Sequence, residues 1–360
     1  MEVSVSTEAN DPRWDEFLGK DACGEFPQSS AWGRYKQTQG WNCTRVTVRR
    51  HGCIAGGGQL LWRPTRFGLR VGYVSKGPVA QGEEIRILDA AFSEIIKIAR
   101  RLRITALIVQ PPGFSRLTSS RLQPPLFLQN RVMRIITATI RIDVSGGMSA
   151  VEKRLRRTTR KHVRSAVKGG VRVREGEEKD LDLFFRLMQE TCRRRNVAPN
   201  PPDVAALRAL WKTSGRGLHC RLTFAEHQGR ALGGLFCIGF GSTLELWKKG
   251  SLADSHHKHP MELLYYDAFD WAASQGYSFC DLGGVSRPVA ERTIDGQDLS
   301  LEQKHSSDFF KLGFGGSPVL LPEARLHFPN PAVSFCYRLL TVHPGTEKWF
   351  RRLSKSLSAG

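Results

Sequence analysis

Apolar and polar residues follow one pattern twice along the chain. A polar turn with glycine leads into an apolar run at 51–57 and again at 228–234, as at the turn of a β-hairpin. Apolar residues then recur at three- and four-residue spacing in 85–102 and in 264–272, after Pro260. This spacing predicts two amphipathic helices, and proline suits the first turn of the second helix.

A short apolar segment follows each predicted helix, at Ala106–Gln110 and at Phe279–Leu282, and is typical of a β-strand. The order of hairpin, helix and strand therefore occurs twice. We predict an α/β (α+β) fold in which one unit is present in two tandem copies. Chance similarity between two glycine-rich hairpins is the alternative interpretation.

The boundary between the two copies is predicted near Gly146. Apolar residues alternate with polar ones in 136–144, which indicates a half-buried strand, and a strongly basic segment follows. We therefore assign 1–146 to the first domain and 147–321 to the second. The segment 322–360 is rich in proline and aromatic residues, and we expect it to pack on the first domain.

Charge narrows the range of partners. The 360 residues include 54 Lys and Arg against 34 Asp and Glu, a net charge of +20, which favours a polyanionic partner such as nucleic acid or an anionic membrane surface. The eight cysteines are scattered, and we find no secretory signal and no 18-residue apolar run. We expect a soluble, cytoplasmic protein with reduced thiols that could contact the inner face of the membrane.

The most basic segment is 153–174, which begins directly after Glu152. Leu155, Val163 and Val167 form a thin apolar stripe along it, so much of the segment is predicted to be a helix with one buried edge. Lys and Arg at this density, with no acidic residue among them, favour a polyanion-binding surface. A solvated helix face is the alternative.

Familiar catalytic motifs do not occur in the chain. We find no GxxxxGK[ST] loop, no Rossmann fingerprint and no GxSxG elbow, and the histidines of 256–259 are too close in sequence to converge on a metal. We therefore predict no metal and no cofactor. A reaction is favoured in which the substrates bring their own reactivity.

Several short motifs occur in a fixed order along the chain. They are Gln28–Lys36 with Gly40-Trp41, Tyr73–Val79, Thr159–Lys161, Pro260 leading to Asp281–Gly284, and Phe309–Gly316. Together they resemble the FemA/FemB/FemX family of aminoacyl-tRNA-dependent peptidyltransferases from about residue 14 to 320. The chain is similar to the compact, FemX-like members, because no insertion for a coiled-coil arm is present.

The resemblance implies two GNAT-like (acetyltransferase-like) domains. It also implies transfer of an amino acid from aminoacyl-tRNA to an amine of a peptidoglycan precursor, either UDP-linked or lipid-linked. Lys36 matches a lysine that contacts the precursor's diphosphate, and Arg194 matches a second contact, with the adjacent arginines leaving the register open. Trp32 and Tyr266 are the further substrate-binding residues that it implies.

The same resemblance assigns transfer to Lys311, with Phe310 beside it. A cation there would stabilise the oxyanion that forms when an amine attacks the aminoacyl ester. A surface lysine beside a structural aromatic residue is the alternative. One departure concerns Gln110, which precedes Pro111 where the family pattern has an acidic residue, and this departure puts the acceptor in doubt.

The basic segment is then the expected tRNA-binding surface. Its predicted contacts are Arg156, Arg157, Arg160, Lys161 and Arg164. Three alternatives stay open: the same chemistry on a peptide natural product, an acyl-CoA-dependent N-acyltransferase, and a non-catalytic RNA-binding protein on a degenerate transferase fold. The acyl-CoA reaction normally needs a [QR]xxGx[GA] loop before a helix, and neither 250–255 nor 79–85 contains one.

Overall fold

The chain divides into two compact units in the computed structural model. The first comprises Met1–Ile135 and Leu321–Gly360, and the second comprises Ile136–Leu320. The structure describes residues 1–20, 24–65, 68–113, 115–130, 135–215 and 218–342.

The first unit is a sheet with helices packed against it. Its strands are β1 (Glu2–Ser6), β2 (Asn42–Arg50), β3 (Cys53–Pro64), β4 (Arg70–Ser75), β5 (Val79–Ala80), β6 (Ala106–Gln110), β7 (Leu128–Gln129) and β15 (Arg325–His327). Its helices are α1 (Pro12–Lys20), α2 (Ser30–Thr38), α3 (Ile85–Arg101), α4 (Arg116–Arg121) and α13 (Pro331–Val342). Helix α3 is the amphipathic helix predicted over 85–102, and it buries Ile87, Leu88, Ala91, Phe92 and Ile95.

The second unit has its own sheet. Its strands are β8 (Ala138–Asp143), β9 (Arg172–Glu175), β10 (His219–His227), β11 (Arg230–Phe240), β12 (Thr243–Ser251), β13 (Phe279–Gly284) and β14 (Ser317–Leu320). Its helices are α5 (Gly147–Arg154), α6 (Arg157–Lys168), α7 (Leu181–Arg194), α8 (Val204–Lys212), α9 (Pro260–Ser274), α10 (Arg287–Ile294), α11 (Leu301–Lys304) and α12 (Ser307–Leu312).

Both sheets contain the same motif. In the first unit the described strand order is β1-β2-β3-β4-β6-β15-β7, and β4 and β6 are parallel neighbours joined through α3. In the second unit the order is β14-β8-β13-β12-β11-β10-β9, and β12 and β13 are parallel neighbours joined through α9. Antiparallel hairpins precede each crossover. The two-copy α/β fold predicted from the hydrophobic pattern is therefore confirmed.

Strand β8 belongs to the second unit, although the sequence analysis placed it in the first. It pairs with β13 on one side and β14 on the other, so the units divide between Ile135 and Ile136 rather than near Gly146. The alternating pattern of one strand identifies the strand but not its partners, and these partners lie far along the chain.

The C-terminal segment packs within the first unit. Strand β15 pairs with β6 and β7, and the Tyr337 hydroxyl donates a hydrogen bond of 2.9 Å to the Gln129 carbonyl. Residues 343–360 of the predicted segment lie outside the described residues. Within the part of the chain that is described, no helix is both long and apolar enough to cross a membrane.

A tight loop connects α12 to β14. Gly315 in this loop has φ +74°, and a Cβ built there would lie 2.1 Å from the carbonyl oxygen of Arg154. The neighbouring Phe314 is fully buried among Tyr265 and Phe269 of α9. This loop therefore fixes the position of α12 against α9 and the end of α5.

We predict that Gly315→Ala lowers the free energy of unfolding by about 3 kcal/mol or more, because it adds a steric clash to an unfavourable φ. Gly229→Ala is the matched control, since Gly229 has φ +75° and no described atom within 4 Å of the added Cβ. Its loss is expected to be about 1 kcal/mol. Urea denaturation measures both, and equal losses would mean that the loop does not pack as described.

Candidate active site

Strands β12 and β13 pair over three positions and then separate. Thr243, Leu244 and Glu245 pair with 279–281, and no further pairing between the two strands occurs in the described chain. Strand β12 stays bonded to β11 as far as Ser251, while β13 stays bonded to β8. We call the gap between 246–251 and 282–284 the strand opening.

Lys311 of α12 reaches into the strand opening. Its side chain is 8% exposed, and its Nζ donates hydrogen bonds to the carbonyl oxygens of Gly283 (3.2 Å) and Gly284 (2.8 Å). Burial lowers the pKa of Lys311 to about 8, although the carboxylates of Asp308 and Asp281 oppose this shift. Lys311 is therefore a buried lysine whose amine is held by backbone carbonyls, and not the surface lysine of the alternative interpretation.

The two carbonyl groups are held in place by Asp281. One carboxylate oxygen accepts the Gly283 N–H at 2.8 Å and the Thr139 hydroxyl, and the other lies 3.3 Å from Nε of Arg141. Gly283 has φ +72°, in the left-handed region that favours glycine. The Asp281–Gly284 motif therefore forms the support on which the Lys311 amine rests.

Lys249 of β12 is a site residue that the sequence analysis missed. It is half-buried, and its Nζ lies 5.0 Å from the ring centroid of Phe310 and 5.4 Å from that of Tyr265. Burial, together with the positive charges of Lys311 and Arg195, lowers the pKa of Lys249 to about 7. Two adjacent lysines between Trp247 and Gly250 were the available signal in the sequence.

Phe310 forms part of an aromatic wall beside the two lysines. Its ring packs edge-on against Tyr265 and Phe314, with centroid distances of 5.4 and 5.2 Å. Phe310 directly precedes Lys311 in the sequence, and its ring contacts Lys249, so it lies beside both lysines of the site. Its role in transfer stays a prediction.

The predicted contact Arg194 is engaged within the protein. Its guanidinium donates to the carbonyl oxygen of Ser251 at 2.8 Å and to Glu190 at 3.0 Å, which ties α7 to the end of β12. Arg195 is exposed, and its charge acts on both Lys249 and Lys311. The charge of Arg195 thus lowers the pKa of both lysines, and diphosphate binding by Arg194 stays a prediction.

Tyr266 lies on a different face of α9 from the aromatic wall. Its hydroxyl donates a hydrogen bond to Glu152, and burial together with this carboxylate raises the pKa of Tyr266 to about 12. Tyr265, one residue earlier, contacts Lys249 and Phe310 instead. Tyr265 is therefore the tyrosine that contacts Lys249, and substrate binding by Tyr266 stays a prediction.

Lys36 and Trp32 lie on α2 in the first unit. Trp32 is buried, and the Lys36 Nζ lies 5.2 Å from its ring and 5.5 Å from that of Tyr35. Ser29 caps the helix, and Gln28 bonds to the backbones of β3 and β4, so part of this motif has a structural role. Diphosphate binding by Lys36 and substrate binding by Trp32 stay predictions.

Gln110 occupies the position where the resemblance expects an acidic residue. Its side-chain oxygen accepts a hydrogen bond of 3.1 Å from the Tyr73 hydroxyl. A carboxylate is present nearby: Glu25 influences Tyr73 electrostatically, accepts the Gly113 N–H at 2.9 Å and lies 3.5 Å from Lys76. The acidic group at this end of the sheet thus comes from a different segment of the chain.

The basic segment 153–174 contains the end of α5, all of α6 and most of β9, and α6 carries one exposed cationic stripe. Arg157, Lys161, Arg164 and Lys168 follow each other at four-, three- and four-residue intervals and are exposed, while Val163 is buried on the opposite side. This spacing aligns the four cations on one helix face. We call these four residues the α6 stripe.

Two predicted tRNA contacts do not belong to the α6 stripe. Arg156 lies 3.8 Å from the centroid of the Phe309 ring, and its backbone N–H donates to the Gly313 carbonyl, so it supports α12. Arg160 donates hydrogen bonds to the backbone carbonyls of Glu152 and Leu155. Both guanidinium groups are half-buried and hold the second unit together.

Helix α9 begins in a cluster of two imidazoles and a carboxylate. The Nδ1 atoms of His162 and His259 lie 3.1 and 3.5 Å from Oε1 of Glu262, and the rings stack with a centroid distance of 3.9 Å. The rings are parallel within 6°, so their lone pairs lie in parallel planes and do not converge on one ion. His259 is half-buried, whereas His256 is exposed.

Two family profiles match separate parts of the chain. The FemAB family matches residues 10–134, and the acetyltransferase (GNAT) domain matches residues 153–291. The chain is therefore similar to the FemAB family over most of its first unit, and it has an acyltransferase-type GNAT domain in the unit that contains the strand opening.

The chain also resembles named relatives. It is 26% identical over 197 residues to a lipid II:glycine glycyltransferase of Staphylococcus epidermidis. This match covers 50% of this chain and 46% of the relative, so the chain spans about half the relative's length. It is 21% identical over 308 residues to the UDP-N-acetylmuramoylpentapeptide-lysine N(6)-alanyltransferase of Weissella viridescens, which covers 79% of this chain and 88% of the relative.

Solved structures share its fold. The crystal structure of FemX matches with a TM-score of 0.77 at 16% identity, covering 94% of this chain and 100% of that one. A tandem GNAT protein from the clavulanic acid biosynthesis pathway matches with a TM-score of 0.52 at 12% identity, covering 92% and 99%. The predicted pair of GNAT-like domains is therefore confirmed.

We predict that replacing Arg194 changes stability, whereas replacing Arg195 changes the pKa values of the two lysines. Arg194→Ala lowers the free energy of unfolding by about 1–2 kcal/mol, because the bonds to Ser251 and Glu190 are lost. Arg195→Ala changes stability by less than about 0.5 kcal/mol but raises the pKa of Lys249 and of Lys311. Urea denaturation measures the change in stability, and the pH dependence of lysine acetylation measures the pKa values. A stability loss in Arg195→Ala with a change of lysine pKa in Arg194→Ala would contradict the prediction.

Proposed function

We propose that the protein transfers an amino acid from an aminoacyl-tRNA to an amine of a peptidoglycan precursor, UDP-linked or lipid-linked. The observation that carries this proposal is the Lys311 amine, held by two carbonyls in the strand opening beside Phe310. The similarity of residues 10–134 to the FemAB family and the two named relatives, which act on such precursors, support the choice of acceptor.

The chemistry suits a site without a protein nucleophile. The ester that joins an amino acid to tRNA is already activated, so an incoming amine attacks its carbonyl carbon and an oxyanion forms. An ammonium group fixed in advance stabilises that charge without reorganisation during the reaction. The bonds from Lys311 to Gly283 and Gly284 provide this fixed position.

The α6 stripe supports tRNA as the donor. It presents four exposed cations in the unit that also contains the strand opening, and phosphate groups bind such arrays with release of counterions. Arg156 links the start of α6 to α12, so the stripe and Lys311 are connected through the packing of one unit.

The start of α9 disfavours the acyl-CoA alternative. A pyrophosphate is normally held by free N–H groups at a helix N-terminus. Here α9 begins with Pro260, which lacks an N–H, and the Glu262 carboxylate occupies the first turn with its two histidine partners. A bound pyrophosphate would meet that negative charge.

The proposal is tested by product mass. Purified protein is incubated with labelled aminoacyl-tRNAs and a UDP-muramyl pentapeptide, with and without ribonuclease, and the products are weighed by mass spectrometry. We expect a gain of one amino acid residue that ribonuclease abolishes. Labelled amino acid entering a lipid-linked precursor would also support the proposal. Ribonuclease-insensitive acylation from acyl-CoA would contradict it and support the alternative.

Lys311→Met is expected to lower kcat about 10²–10³-fold, because one preorganised donor to the oxyanion is lost. Binding of tRNA is expected to stay unchanged, as measured by filter binding. Lys304→Met removes an exposed lysine of α11 and is the matched control, with activity retained. Equal loss of transfer and tRNA binding in Lys311→Met would mean that Lys311 has a structural role.

Removing three cations of the α6 stripe is expected to weaken tRNA binding. Arg157→Gln, Lys161→Gln and Arg164→Gln together should raise Kd about tenfold and reduce its dependence on salt. The control removes three exposed arginines from α3 in the first unit: Arg86→Gln, Arg100→Gln and Arg101→Gln. Titrations at several salt concentrations measure both, and equal effects would assign binding to net charge and not to the stripe.

A further inference from the structure

We propose that Lys249 is a catalytic base, which accepts the proton that the attacking amine must lose. This inference rests on the proposed function, because it concerns the same strand opening and the same amine. It gives the two lysines different tasks. Lys311 stabilises the oxyanion, and Lys249 moves a proton.

The hydrogen bonds of the two amines support this division. Lys311 Nζ donates to the carbonyl oxygens of Gly283 and Gly284, and such bonds require its protons. Among the described residues, Lys249 Nζ has no hydrogen-bond acceptor and lies next to the rings of Tyr265 and Phe310. Lys249 can therefore lose and regain a proton without breaking a hydrogen bond to the protein.

Charges from three elements face Lys249. Helix α12 presents Lys311 and Asp308, the residue after α7 is Arg195, and α9 presents Glu262. Glu262 is already bonded by two histidines, whereas the two cations disfavour a third positive charge. Together with burial, they hold the pKa of Lys249 near 7, so a large fraction of its amine is neutral at physiological pH.

The proposed step is balanced without another reactant. The substrate nitrogen forms a bond to the ester carbonyl carbon, and the carbonyl electron pair moves to oxygen. The nitrogen, now positively charged, gives a proton to Lys249 Nζ. The carbonyl then re-forms, the bond to the ribose oxygen breaks, and that oxygen takes the proton from Lys249. An amide and a free ribose hydroxyl result, and Lys249 is neutral again.

Lys248 offers a matched comparison within the same strand. It is adjacent in sequence, half-buried and stacked over a different ring, that of Trp247 at 4.8 Å. Successive strand residues point to opposite faces, so Lys248 points away from the face that Lys249 shares with Phe310. If catalysis requires an amine on the face next to Phe310, replacing Lys249 should affect it and replacing Lys248 should not.

The experiment compares Lys249→Ala, Lys249→Arg and Lys248→Ala in single-turnover transfer from aminoacyl-tRNA. We expect about a hundredfold loss of rate in both Lys249 variants, because arginine keeps the charge but stays protonated. Ethylamine should restore the rate of Lys249→Ala at least about tenfold, in proportion to its neutral fraction. Lys248→Ala should keep the wild-type rate, and circular dichroism checks that each variant is folded.

The pH profile gives a second readout. In the wild-type protein the rate is expected to rise through pH 7, as Lys249 becomes neutral, and to fall above pH 8, as Lys311 loses its proton. The rising limb should disappear in Lys249→Ala. A wild-type rate in Lys249→Arg, or no rescue by ethylamine, would overturn the base role and leave Lys249 as a fixed charge.

Failure of the proposed function would be seen separately. If the wild-type protein transfers no amino acid, trace acetylation by acetic anhydride still reports when the Lys249 amine becomes neutral. A midpoint near pH 7 would support a base available for another acyl donor. A midpoint near 10, the ordinary value for lysine, would overturn the inference whatever the donor.

Discussion

The separation of two parallel strands is the constraint on which the candidate site depends. Beyond Glu245 and Asp281, β12 and β13 no longer bond to each other, although each keeps its outer neighbour. Backbone groups at the gap therefore need other partners, since unpaired buried carbonyls are costly. Lys311 supplies hydrogen bonds to two of them, and the backbone thus fixes the position of its amine in the strand opening.

Positive charge in this opening is concentrated and only partly neutralised. The charges of Lys311 and Arg195 lower the pKa of Lys249, and that of Arg195 lowers the pKa of Lys311, while Asp281 is already bonded to Thr139 and Arg141. Such a site favours an anionic group, or charge that develops during a reaction. The aromatic wall next to Lys249 excludes water from one side and strengthens these interactions.

Much of the fold could be predicted because it depends on local pattern. The repeated order of hairpin, helix and strand identified both units, and Pro260 correctly marked the start of α9. The boundary was misplaced because β8 joins its sheet through partners distant in sequence. Local pattern shows that a strand exists, but only the assembled sheet shows which unit it belongs to.

The site was predicted only in part for a related reason. Lys311 stood in a distinctive glycine-rich motif, whereas Lys249 stood in an ordinary strand with no motif around it. Tyr265 contacts Lys249, whereas the predicted Tyr266, one residue later, bonds to Glu152. On a helix one residue is a rotation of about 100°, so a register error moves a side chain to another face.

Direct observation of a bound substrate analogue would test the central claim, that the reacting carbonyl enters the strand opening. A crystal structure would be determined with a short 3′-aminoacyl oligonucleotide whose ester is replaced by a stable amide. The account predicts that the amide carbonyl oxygen lies within hydrogen-bond distance of Lys311 Nζ, with Lys249 Nζ next to the space for the incoming amine. An analogue bound away from the opening between β12 and β13 would contradict it.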